Sequence, residues 1–345
     1  MGVCIFGIDS VRFVAALMVF IFHGGGPQLS GIWSDTRVEQ VYVSSFNGVA
    51  AVLVFFIVSG FCIHFPHVNK PTLSTCQFYL KRFIRIGLPL FALSLVLYLA
   101  DVAHGGSWDG KFWYGTYFYG LTTVVWSLIA EVSYYAAYPV IFYWARILGI
   151  GTLLVGSIAV SLVLMSFDSG GKTIFPLYSI PVMCLVGLPF WLTGCLLAEK
   201  GIPKIKSRGG LAASRCATFG YLFIVQYLYK FNNLTLQEPL VYLPFAPIVY
   251  WWLKNELIVG NEHSVSWLEW GGRWSYSLYL THKPLMTCYE GLLLMLGING
   301  IFFLKIVFVL VGAFIFACSV EWPAQRLAGL SALAWQRKIV VRPRA

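Results

Sequence analysis

Ten apolar stretches recur along the 345-residue chain, separated by polar or glycine- and proline-rich segments. At about 20 apolar residues per membrane span, they predict helices near 7–26, 47–66, 86–104, 124–145, 151–167, 176–198, 211–230, 240–253, 273–293 and 301–320. The 240–253 stretch is short and carries Pro244 and Pro247, so a kinked, tilted or partly re-entrant helix is expected there. The first apolar run, Phe13 to Phe22, follows Arg12 in the manner of a signal-peptide core. It leads into Gly24-Gly25-Gly26-Pro27 without an Ala-x-Ala-like site and is therefore read as a retained span. No internal repeat stands out. The expected organisation is a single domain over 1–345, with a core of about 7–323 and a basic tail at 324–345.

Composition sharpens this into a statement about solvent. Hydrophobic residues make up 59% of the chain and charged residues only 11%, against about 25% in soluble domains. Mean hydropathy is +0.75. The fold class predicted is all-α, a polytopic transmembrane bundle of about ten spans. The net charge of +10 has a nucleic-acid flavour until the basic residues are placed, because they gather in loops on one side. Seventeen Lys and Arg fall in the even-numbered connections and the tail, against four (Arg37, Lys111, Lys172 and Lys230) in the odd ones. Both termini are therefore expected on the cytoplasmic side of the inner membrane, with lipid as the surrounding partner and no nucleic acid. The eight cysteines contain no Cys-x-x-Cys pair and six lie in apolar stretches, so neither a zinc site nor a disulfide framework is expected.

Polar side chains inside spans are costly and so mark candidate chemistry. Arg12 and His23 are eleven residues apart, three helical turns plus about 20°, and leave the same helix face about 16 Å apart. A snorkelling Arg and a boundary His give the same spacing. Glu131 is an isolated carboxylate among Tyr134, Tyr135 and Tyr138, suited to catalysis or to a structural hydrogen bond between helices. His282 lies about 13 Å beyond the start of its helix, so His23, Glu131 and His282 are expected at similar depth, where they would suit proton transfer. His64 and His67, beside Pro66, read as interfacial. Ser59-Gly60 offers a hydroxyl and a close-approach point, or simple helix packing. Arg82 and Arg85, three apart, can engage a phosphate-bearing ligand together, or serve as a positive-inside flank.

Five motifs occur in order: Arg12-x10-His23, Phe55-Phe56-x-x-Ser59-Gly60-Phe61, Arg82-x-x-Arg85, Trp126-Ser127-Leu128-x-x-Glu131-x-x-Tyr134-Tyr135, and Ser275-Tyr276-Ser277-Leu278-Tyr279-Leu280-x-His282. In this order the chain resembles the acyltransferase-3 family of integral-membrane O-acyltransferases over residues 9 to about 323, and Glu321-Trp322-Pro323 looks like that family's terminus. The resemblance implies a ten-helix core without the fused hydrolase-like domain of some members. It also implies acyl transfer, often from acetyl-CoA, to hydroxyls of surface glycans, lipids or antibiotics. Carried over by position, it gives catalytic roles to His23, Glu131, His282 and Arg12, and binding of acetyl-CoA or another acyl-CoA to Arg82, Arg85 and Ser59, with no metal. Leu53 stands where members often have an acidic residue, and Pro89 arrives one residue late after Arg85. The expected function is O-acetylation of a carbohydrate or glycolipid acceptor at the outer face. The competing class is a proton-coupled transporter or flippase, although nothing resembling inverted repeats supports it.

Overall fold

The computed structural model describes residues 7–25, 37–103, 119–167, 174–200, 208–232, 234–263, 265–298 and 302–330. Lys111, Lys172, Lys204, Lys206 and the part of the basic tail beyond residue 330 lie outside these. The described residues are helical and contain no strand. Helix α1 (Ile8–Phe20) continues through a π-helical turn at Ile21–Gly25, and α2 (Arg37–Ser45) leads to α3 (Gly48–His64). Helix α4 (Thr75–Arg82) passes through a second π turn, Phe83–Gly87, into α5 (Leu88–Ala103). Then come α6 (Tyr119–Leu148), α7 (Ile150–Ser166), α8 (Ile180–Lys200), α9 (Arg208–Phe231) and α10 (Glu238–Tyr242). The chain continues as α11 (Phe245–His263), α12 (Ser266–Gly272), α13 (Ser275–Leu296) and α14 (Phe302–Phe316), which ends in a third π turn at Ala317–Glu321.

Each predicted stretch overlaps a helix, and the 240–253 stretch is divided between α10 and α11. Among the described residues, four helical stretches are long and apolar enough to cross a membrane: 37–67, 75–100, 180–200 and 302–330. A fifth is added if α6 and α7, which meet at 115° across Gly149, act as one broken span. Three helices were not expected. Helices α2, α4 and α12 are short and more polar, so they carry no 20-residue apolar signal. The proline-bearing stretch also resolves differently from expectation. Pro244 falls in the break between α10 and α11, and Pro247 in the first turn of α11, where its missing N–H leaves no hydrogen bond unmade. Helix α11 then continues to His263, where Glu256 is held by Arg215 Nη2 at 2.6 Å and Trp252 Nε1 at 2.9 Å.

Two close crossings set the frame. Helices α3 and α8 meet at glycines: a Cβ at Gly60 would stand 1.9 Å from the Trp191 carbonyl oxygen, and one at Gly194 would stand 1.8 Å from that of Ile57. Ser59-Gly60 therefore serves helix packing, the use of small residues that lets backbones touch where lipid supplies no hydrophobic drive. The start of α1 is pinned by α12, because Glu269 Oε1 accepts from Gly7 N at 2.8 Å and from Ser10 Oγ at 2.5 Å. That carboxylate answers the unpaired N–H groups and positive dipole of the helix end. Asn47 caps α3 in the same way, accepting from Ala50 N at 3.0 Å.

Candidate active site

The rigidly held α1 carries Arg12 near one end and His23 at the other. His23 sits inside the first π turn, just before Gly24, whose φ of 109° lies in the left-handed region that favours glycine. On α14, Lys305 Nζ donates to the Gly24 carbonyl at 3.2 Å and pairs with Glu290 at 3.1 Å, bracing this bend. The His23 ring faces that of His282, with centroids 5.3 Å apart. His23 Nδ1 lies 2.9 Å from the Val19 carbonyl, and His282 Nδ1 lies 2.7 Å from that of Tyr279. A carbonyl only accepts, so both Nδ1 atoms carry the proton and both Nε2 atoms keep a lone pair. His282 is fully buried and its Nε2 has no hydrogen-bond partner among the described residues.

Helix α13 is fixed on both flanks of this histidine. Tyr279 Oη shares a hydrogen bond with Ser127 of α6 at 2.5 Å. Ser277 N and Oγ both donate to the buried Glu321 carboxylate in the third π turn. Tyr276 Oη donates to Ile86 O, inside the second π turn, at 3.2 Å. All three π turns thus contain or touch a motif residue, in keeping with the concentration of such bulges at functional sites.

Glu131 does not join the histidines. Its carboxylate accepts from Tyr135 Oη one turn along α6, and Tyr135 Oη in turn shares a hydrogen bond with Ser59 Oγ at 2.9 Å. No hydrogen bond links Glu131 to either imidazole among the described residues, although its charge reaches Tyr279, whose ring lies 6.0 Å from that of His282. The Arg82 guanidinium stacks over the Tyr135 and Phe78 rings, 5.8 and 5.7 Å from their centroids, and its buried Nε has no hydrogen-bond partner among the described residues. Arg12 bonds Asp9 at 3.4 Å, and Cys62 lies within electrostatic reach of Arg12, Arg82 and Arg85 alike. The contacts thus form two sets: the histidine pair, and Glu131 with Tyr135 and Ser59, whose carboxylate lies within electrostatic reach of Arg12 and Arg82.

His64 departs from the interfacial role expected of it. It is buried, with Nδ1 3.1 Å from Tyr138 Oη and Nε2 3.3 Å from Glu199, so it bridges α3, α6 and α8. Beside the histidine pair lies a cavity of about 440 Å³ whose wall includes His23, Asn47, Trp126, Gln226, Glu238 and Tyr279. Sequence reasoning gave Asn47, Gln226 and Glu238 no role; the available signal was an isolated polar residue at the end of an apolar stretch.

An apolar helical frame that shields paired imidazoles, with arginines on α1, on α4 and in the π turn that follows α4, has the character of a membrane-embedded group-transfer enzyme. Residues 5–322 match the acyltransferase-3 model, described as an acyltransferase domain, and the chain belongs to that family. It is also similar to the acyltransferase MdmB of Streptomyces mycarofaciens, at 29% identity over 160 residues. That match covers 41% of this chain and 39% of the relative, so about two fifths of the relative's length is spanned. No solved structure matches.

Proposed function

We propose that this membrane acyltransferase takes an acetyl or other acyl group from acyl-CoA at the cytoplasmic, arginine-lined end and transfers it to a carbohydrate hydroxyl at the outer, His23 end. The observation that carries the reading is the histidine pair beside a cavity, with an Nε2 lone pair free on each ring. The acceptor hydroxyl gives its proton to His23 Nε2 as its oxygen attacks the thioester carbonyl. The tetrahedral intermediate collapses by breaking the carbon–sulfur bond, and the departing CoA thiolate recovers the proton from the imidazolium. His282 orients His23 and shares the positive charge. The unpartnered Nε of Arg82, with Arg85 and Arg12 nearby, suits the CoA phosphates, since guanidinium groups bind phosphate with charge-assisted, often bidentate hydrogen bonds.

The fold fits this role physically, because closely packed helices keep bulk water from competing with the acceptor hydroxyl. Protein in lipid nanodiscs, given acetyl-CoA and a methyl glycoside, should release free CoA and form an acetylated glycoside in equal amounts. Absence of acetylated product from a broad glycoside panel would overturn the carbohydrate assignment. Product formed without CoA release would overturn the donor.

A further inference from the structure

Apart from His23 itself and the exposed Lys230, the cavity beside His23 carries one polar side chain without a hydrogen-bond partner among the described residues. Asn47 donates to Tyr242 Oη at 2.6 Å while capping α3, and Glu238 accepts from Phe175 N at 3.0 Å. Tyr229 Oη donates to Leu236 O at 2.9 Å, and Tyr279 is joined to Ser127. Gln226, on α9, is only 6% exposed and lines the same cavity, yet it has no hydrogen-bond partner among the described residues. Its amide opens onto the cavity rather than into the packed interior, so its donor and acceptor capacity is left for a ligand to fill.

The chemistry of the amide defines that ligand. A carboxamide presents an acceptor oxygen and a donor N–H₂ side by side in one plane. Its complement is a pair of adjacent hydroxyls, one donating and the other accepting. The rest of the wall is largely apolar and aromatic, with Trp126 and Phe22 prominent, which suits the C–H face of a saturated ring. At about 440 Å³ the cavity is at the small end of ligand sites, so it takes one ring rather than a polymer.

We propose that Gln226 is a specificity-determining residue that reads a vicinal diol on the acceptor ring while another hydroxyl of that ring lies at His23. This rests on the acyl-transfer reading above and adds to it the feature of the acceptor that is recognised. A site built to hydrogen-bond a hydroxyl discriminates strongly against the analogue lacking it, because its own polar group is then left unpaired.

The test uses the full chain in nanodiscs free of glycoside detergent, with acetyl-CoA as donor. The acceptors are methyl α-D-mannoside, methyl β-D-glucoside and methyl α-L-rhamnoside, each beside its single-deoxy analogues. A second arm uses a glucosyl diacylglycerol and its deoxy analogue held in the nanodisc. Wild type should prefer at least one diol acceptor over its deoxy partner by tenfold or more. Gln226→Met should bring that preference close to unity by raising the acceptor KM, with kcat and acetyl-CoA affinity near wild type. Gln226→Asn, which withdraws the amide by one methylene, should do the same and serves if the Met variant does not fold. A Gln226-dependent preference in either arm supports the proposal and says whether the diol belongs to a free or a lipid-borne sugar. A preference that survives both substitutions overturns it while leaving the acyltransferase reading intact. Failure of wild type to acetylate any acceptor in either arm overturns both.

Discussion

His23 and His282 hold their Nδ1 protons against helix carbonyls, so the tautomer that a general base needs is set by the backbone before any substrate arrives. His23→Ala should lower turnover by about a hundredfold or more, at wild-type abundance and acyl-CoA affinity, since removing a polar group at this depth does not disfavour the helix. A variant that keeps more than about a tenth of the wild-type rate would transfer the role to His282, and the same assay on His282→Ala would decide it. At the other end, Arg82→Ala with Arg85→Ala should weaken acyl-CoA binding by at least tenfold, because each charge-assisted contact is worth about 1.5–3 kcal/mol. Lys at position 85 should restore only part of the loss; unchanged affinity in the double variant would leave the two arginines as a topology flank. Much of this was legible in the sequence. The two histidines were both singled out from the sequence, and the structure sets their rings 5.3 Å apart. Helical rise gave Glu131 a depth along α6 but not an azimuth, and its hydrogen bond goes to Tyr135, one of the tyrosines expected around it. Gln226 passed unnoticed because a single amide in an aromatic helix is distinguished only by the partners it lacks.

At the scale of elements, glycines and π turns decide how close the motif helices come. Gly194→Ala should destabilise the protein by about 1–3 kcal/mol, since its Cβ would meet the backbone of α3, which cannot rotate away as a side chain would. Thermal unfolding of the purified variant checks this, and an unchanged midpoint would contradict the α3–α8 crossing. Glu238, in the connection ahead of α11, provides a pH readout of the cavity wall. Burial raises its carboxyl from 4.5 to about 7, against the opposing effect of the Phe175 N–H. The folded state therefore holds this proton more tightly than the unfolded chain does. The stability linked to it is greatest below about pH 4.5 and falls as pH rises toward 7. Glu238→Gln should flatten that part of the unfolding profile between pH 5 and 8; an unaltered profile would remove Glu238 from it. The main helices were readable as apolar runs, whereas α2, α4 and α12 were not, since short polar helices take their stability from packing rather than from pattern. The π turns leave no compositional mark.

For the whole molecule, the account places donor and acceptor at opposite ends of one bundle. Its topology rests on the seventeen-to-four distribution of basic residues. Reporter fusions after Gly170 and after Ser207 should report opposite sides, extracytoplasmic and then cytoplasmic; the same side for both would alter the span count between them. Arg146 bonds the Lys70 and Pro71 carbonyls, so two basic segments predicted on one side do meet in the fold. The most direct measurement of the central claim uses sealed proteoliposomes with radiolabelled acetyl-CoA outside and the acceptor glycoside trapped inside. Molecules whose arginine-lined end faces outward should label the trapped glycoside, and His23→Ala should abolish that labelling. Labelling that occurs only when donor and acceptor share one compartment would contradict transfer across the bundle.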